Sequence, residues 1–98
     1  MAISTVNPAT GEELETFEAM GEEEIERKLQ LAADTFRQYR KTPFAERAGW
    51  LTRAAEILEE EAGELGRMMT LEMGKTYASA IAEANKCVRG CRYYAENA

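Results

Sequence analysis

Histidine is missing altogether from these 98 residues, proline occurs only twice, and cysteine only twice. Without histidine the chain lacks the commonest general base and the commonest transition-metal ligand. No Ser or Cys can then be activated by an imidazole. Cys87 and Cys91 are too few for a disulfide framework, and a reducing cytosol is the expected compartment. Basic residues are in deficit: 12 Lys and Arg stand against 18 Asp and Glu, for a net charge of −6. That balance argues against nucleic acid and against an anionic membrane surface, since both need a basic face. No apolar run approaches the roughly 20 residues that span a bilayer, so no membrane segment is expected. Met1–Val6 lacks the basic patch and apolar region of a signal peptide. The glycines, at 11, 21, 49, 63, 66, 74 and 90, form neither G-x-G-x-x-G nor a Walker A loop, so no phosphate cradle is encoded.

What is present reads as one small, partial domain, 1–98, mostly α with an N-terminal β-hairpin over 1–20 and helices over 21–98. Ile3–Val6 and Leu14–Phe17 are short β-prone segments. Asn7-Pro8-Ala9-Thr10-Gly11-Glu12 between them is turn chemistry: Pro8 fixes φ, and Gly11 allows a positive one. From Gly21 the apolar period changes. Glu22, Glu23 and Glu24 suit a helix N-terminus, and Ile25, Leu29, Ala32, Ala33, Phe36 and Tyr39 follow at helical spacing. Thr42 is expected as the next N-cap with Pro43 at the first helical position. The following helix carries a stripe of Phe44, Ala48, Leu51, Ala55, Leu58, Ala62, Leu65 and Met69, widened by Trp50, Ala54 and Ile57. Gly63 and Gly66 predict a bend or break between Glu60 and Gly66. Gly74 fits a left-handed helix closure. A last helix, from about Thr76 to Glu96, places Tyr77, Ile81, Ala84, Val88, Cys91 and Ala95 on one face. The helices are expected to cover one another in a small bundle, which leaves the hairpin residues Val6, Leu14 and Phe17 without partners.

Four constellations could carry chemistry. Cys87 and Cys91 share a helical face, where a disulfide has poor geometry and a metal lacks further ligands. They read as small packing residues. Glu59-Glu60-Glu61 with Glu64 reads as a solvated face. Met68, Met69 and Met73 read as core packing, and Arg92 beside Tyr93 and Tyr94 as packing with a tyrosine hydrogen bond.

Taken together, Val6-Asn7-Pro8-Ala9-Thr10-Gly11-Glu12, Thr42-Pro43-Phe44-Ala45-Glu46-Arg47, Met69-Thr70-Leu71-Glu72-Met73-Gly74-Lys75-Thr76 and Cys91-Arg92-Tyr93-Tyr94-Ala95-Glu96-Asn97-Ala98 resemble the beginning of the aldehyde dehydrogenase superfamily. The wording is most similar to its succinate-semialdehyde dehydrogenase branch. The resemblance implies a complete enzyme that oxidises an aldehyde to an acid with NAD or NADP, using a nucleophilic Cys and a Glu base. Neither Cys87 nor Cys91 sits in a motif like the family's nucleophile, so no catalytic or cofactor-binding residue is carried over. The chain is expected to be inactive alone and to bind no cofactor alone. It resembles the hairpin and helices on the flank of the α/β cofactor-binding domain. Two residues match a structural monovalent-cation site known in the family: Val6, through its backbone carbonyl, and Glu83, through its carboxylate. The implied partner is the remainder of the enzyme chain or a second copy, since family members are homo-oligomers. Two other readings are a free-standing acidic helical interaction module and a regulatory subunit that completes a separate chain.

Overall fold

In a computed structural model, which describes residues 2–98, two strands lead into four helices. Strands β1 (Ala2–Val6) and β2 (Glu13–Glu18) pair antiparallel. The turn between them is held by its own polar groups. Asn7 Oδ1 accepts from the Ala9 amide at 2.9 Å, and Asn7 O accepts from the Gly11 amide at 2.8 Å. Gly11 takes φ +77°, a left-handed conformation that glycine adopts without a Cβ penalty. The register then slips: Thr5 faces Glu15 but Val6 faces Glu13, which leaves Leu14 as the extra residue of a bulge. Leu14 lines one concavity with Met68 and Leu71, which lie on a helix further along the chain. It therefore has the partner that the sequence did not disclose, while Val6 and Phe17 remain exposed.

Helix α1 spans Glu22–Tyr39, α2 Phe44–Glu60, α3 Ala62–Met73 and α4 Tyr77–Asn97. The helix boundaries follow the expected signals with one correction. Pro43, extended at ψ 150°, is the N-cap of α2, and Phe44 is its first residue. Thr42 is not the cap, because its amide closes the turn after α1 by donating to Tyr39 O at 2.9 Å. The expected break falls at Glu61, between α2 and α3, where φ −98° and ψ 7° leave the helical range. Gly74 closes α3 at φ +74°. Thr76 caps α4 by accepting from the Ser79 amide at 3.3 Å.

Helix α4 is the centre of the packing and lies against both α2 and α3. The seam is built of small residues: Ala55, Ala62, Gly66, Ala80, Ala84 and Val88 are the buried ones among the described residues. Gly66 sits opposite Ile81, where a Cβ would come within 2.8 Å of Ile81 Cδ1. Small residues bring the helices close together but bury little area, and the larger side chains stay outside. Trp50, Ile57, Met68, Met73 and Tyr77 are exposed, and so is Phe44 at 66%. The expected core roles of Met68 and Met73, and of the widening residues Trp50 and Ile57, are thus corrected. The helices form one thin layer, so these side chains have no second layer to enter.

Nor does α1 join the bundle. No residue in it is buried, and Leu29 is 60% exposed. Its C-terminal end is anchored to α2, where Tyr39 stacks on Trp50 at 6.0 Å. The result is a slab 47 × 39 × 15 Å. Its radius of gyration is 17.6 Å, where about 13 Å is typical of a chain this long. Its accessible surface is 7702 Å², about 2,000 Å² above the usual value for 11.0 kDa. Stable domains pack one layer on another; here one layer stands with both faces open.

Candidate functional site

A concave apolar surface lies where the end of α1, the start of α2 and the end of α4 meet. Tyr39, Phe44, Arg47, Trp50, Leu51 and Tyr94 line a groove of about 420 Å³. Arg47 organises it. Its guanidinium carbon lies 4.6 Å from the centre of the Tyr39 ring and 5.6 Å from that of Phe44. Its Nη2 donates to Tyr39 O at 3.0 Å. Cation–π attraction and the hydrogen bond to a C-terminal carbonyl of α1 pull in the same direction, so Arg47 fixes the corner between the two helices. Its Nε is shielded from solvent and has no acceptor. The sequence pointed to Arg47 only as a member of the Thr42–Arg47 segment, because a stacking partner eight residues back has no periodic signature.

A second concavity, of about 290 Å³, lies between hairpin and α3, lined by Thr5, Leu14, Glu64, Arg67, Met68 and Leu71. Thr5 Oγ1 is buried there without a partner. The hairpin is seated at its turn as well: a Cβ on Gly74 would meet Pro8 Cγ at 3.1 Å. Lys75 follows, and its ammonium lies 3.7 Å from the Glu83 carboxylate. The two residues matched to a monovalent cation lie on different elements, Val6 on β1 and Glu83 on α4. Val6 ends the strand before Pro8, and Glu83 faces the residue after Gly74. The carboxylate already carries a cation of the chain's own.

Across the slab, Glu59 of α2 accepts two hydrogen bonds from Arg92 of α4, at 2.7 and 3.3 Å. Glu59, Glu60, Glu61 and Glu64 are all exposed, as expected of a solvated face, and Glu59 adds this pair at its edge. The hydrogen bonds first, and the guanidinium charge second, hold the Glu59 carboxyl below its ordinary range and raise Arg92. Both side chains remain open to solvent, so the pair fixes register more than it stabilises.

None of this amounts to a redox centre. Cys87 is exposed and Cys91 half-buried, both free thiols on α4. Among the described residues, no three Cys, His, Asp or Glu side chains cluster as metal ligands. The first turns of α1, α2 and α3 carry Glu22, Glu23, Glu24, Glu46 and Glu64, whose charge opposes an anion there, while the first turn of α4 carries no acidic residue. No helix among the described residues is long and apolar enough to cross a membrane.

Comparison with known proteins follows the same lines. A probable NADP⁺ succinate-semialdehyde dehydrogenase of Synechocystis sp. is 52% identical over 98 residues, all of this chain and 22% of that protein. The NADP⁺ succinate-semialdehyde dehydrogenase 1 of Mycobacterium tuberculosis is 53% identical over 98 residues, 21% of its length. Among solved structures, an NADP-dependent glyceraldehyde-3-phosphate dehydrogenase from Bacillus halodurans, complexed with NADP, superposes with a TM-score of 0.91 at 30% identity. It covers 98% of this chain and 20% of that one. Succinic semialdehyde dehydrogenase from Streptococcus pyogenes, in complex with NADP⁺, gives 0.89 at 31% identity, over 95% of this chain and 21% of that one. The chain spans about a fifth of the length of the relatives it matches. The open, single-layered shape is therefore one that these residues also have inside folds about five times as long. The aldehyde dehydrogenase family profile matches residues 1–98 throughout, and the chain belongs to the aldehyde dehydrogenase family.

Proposed function

We propose that these residues form the flank of the cofactor-binding domain of a succinate-semialdehyde dehydrogenase. That enzyme oxidises its aldehyde to a carboxylic acid with NADP in the cytosol, and the 98 residues supply scaffold, not chemistry. The observation that carries the substrate is the level of identity. Relatives named for succinate semialdehyde and NADP⁺ reach 52% and 53% over the whole chain. At about 30% identity the fold alone is shared, by a dehydrogenase named for glyceraldehyde 3-phosphate and by one named for succinic semialdehyde alike. The scaffold role is supported by the absence of a nucleophile–base pair among the described residues, and by apolar surface that a second layer would cover. The rest of the fold is the natural occupant of the groove around Arg47 and Trp50.

The test is turnover by an enzyme that carries these residues at its front, assayed with succinate semialdehyde and with glyceraldehyde 3-phosphate, each with NADP and NAD. Succinate semialdehyde with NADP should be the preferred pair; any other preference overturns the assignment. The 98-residue chain alone should show no aldehyde oxidation with either cofactor. Turnover well above a buffer blank would overturn the scaffold role. In the same enzyme we propose Val6 O and Glu83 as ligands of a monovalent cation, with Lys75 as its competitor for the carboxylate. Lys75→Met should then increase the dependence of thermal stability on potassium or sodium, and an unchanged dependence would remove the site.

A further inference from the structure

Helix α4 keeps its backbone pairing as far as Ala98, whose amide donates to Tyr94 O at 3.1 Å, the four-residue step of a helix interior. No left-handed residue closes this end: among the described residues, positive φ belongs to Gly11 and Gly74 alone. Gly74, by contrast, does close α3. Tyr94 and Ala98, four residues apart on one face of α4, form one wall of the groove that Tyr39, Phe44 and Trp50 complete. The two helices run in opposite directions there. Arg92 pairs with Glu59 near the end of α2, while Tyr94 and Ala98 lie beside Phe44, Trp50 and Leu51, nearer its start. Prolonged along its own axis, α4 heads for Phe44, the first residue of α2.

We infer that, in the longer enzyme, the stretch after Ala98 prolongs α4 by one to two turns and covers this groove. The inference rests on the reading of these residues as the front of such an enzyme, and it names the part of the rest that docks here. By helical period, the third and fourth residues beyond Ala98 share the face of Tyr94 and Ala98. They are apolar side chains that lie over Phe44 and Trp50. Arg47 gives an independent reason. Its Nε stands in the groove wall, shielded from solvent and without an acceptor. A buried donor left unpaired is costly. The last carbonyls of a helix lack donors of their own, and the C-terminal end of a helix favours a cation. A prolonged α4 that ends over the α1–α2 corner meets both needs, with one of its terminal carbonyls accepting from Arg47 Nε.

Cross-linking in the enzyme that carries these residues at its front tests it. Phe44→Cys is paired in turn with one cysteine at each residue of the stretch after Ala98, a short bis-maleimide is added, and linked peptides are mapped by mass. Trp50→Cys serves as a second anchor where Phe44→Cys does not fold. Links should concentrate at the third and fourth residues beyond Ala98, with the second and fifth at least about fivefold lower, because those point away from the groove. The anchor thiol should also react about tenfold more slowly in the native enzyme than in urea. Arg47→Met should speed amide exchange in the same stretch about tenfold. Four results overturn the proposal. Equal linking at every position denies the helix. A protected anchor that links elsewhere, to another part of the chain or to a neighbouring copy, gives the groove to a different occupant. An anchor as reactive natively as in urea leaves the groove open. Unchanged exchange in Arg47→Met removes the carbonyl contact. None of these readouts depends on which aldehyde is turned over, so a wrong substrate assignment would show separately.

Discussion

Gly66 and Ile81 meet so closely that a Cβ on the glycine would fall 2.8 Å from Ile81 Cδ1 and 3.4 Å from the Ile81 backbone nitrogen. The absence of a side chain at this point lets α3 lie against α4. Gly66→Ala sets two effects against each other. Alanine recovers about 1 kcal/mol of helix propensity. Overpacking the seam costs about 1–3 kcal/mol, because Ile81 must change rotamer or the helices must part. The clash should prevail, with a net loss near 1 kcal/mol in urea unfolding followed by circular dichroism. Ile81→Val, which removes the Cδ1 atom, should make the alanine tolerable. Simple addition of the two single effects would show that the seam is not tight.

Gly74 joins two demands in one residue, a left-handed φ of +74° and a Pro8 ring 3.1 Å from the site of a Cβ. Gly74→Ala should cost about 1–2 kcal/mol from the backbone alone. It should also loosen the hairpin seat, so amides of Ser4–Val6 and Glu13–Phe17 should exchange faster with solvent. Pro8→Ala should relieve the contact but not the backbone cost. Equal stability of the single Gly74 variant and the double variant would show that the Pro8 contact is weak.

Much of the fold could be read from the chain because the signals were local. The Asn7–Gly11 turn, the acidic start of α1, the closure at Gly74 and the period of α4 each depend on neighbours within a few residues. What could not be read was which apolar stripes meet. Phe44, Trp50 and Ile57 have the spacing of a core face, yet they are exposed, because the side of α2 turned to the seam is the edge where Ala55 is buried and Ala48, Leu51 and Leu58 are half-buried. The seam chooses small residues for close approach, a preference that hydrophobicity ranks low. Arg47 and the Glu59–Arg92 pair were invisible for another reason. Their partners are set by tertiary geometry, 8 and 33 residues away in sequence.

The Glu59–Arg92 pair predicts a signed dependence on pH. The Glu59 carboxyl is held below its ordinary range in the folded chain, chiefly by hydrogen bonds from Arg92. Its contribution is therefore fully present above the unfolded carboxylate value, about 4.3, and is lost as pH falls through the lower folded value. Arg92 stays charged throughout that window. Arg92→Met should flatten the fall of stability between about pH 4.3 and more acidic values. It should also remove part of the salt sensitivity, since the pair is exposed. An identical acid limb in wild type and variant would assign the acid sensitivity to other carboxylates.

Cys87 and Cys91 offer the last test, because the two thiols differ in a way that a packing role and a chemical role interpret differently. Cys87 is exposed and Cys91 half-buried, one helical turn further along α4. If both are packing residues, reactivity should follow exposure alone. A chromogenic disulfide reagent should then label Cys87 rapidly and Cys91 slowly, with Cys91 speeding up in urea as α4 opens. Cys87→Ser should leave stability nearly unchanged. Cys91→Ala should cost about 1 kcal/mol, the usual size for trimming a small, partly buried side chain. In the complete enzyme neither substitution should alter aldehyde turnover, since no acid or base is positioned on either sulfur. Loss of turnover in Cys87→Ser at unchanged stability would show that α4 takes part in the chemistry, and the scaffold role would then have to be abandoned.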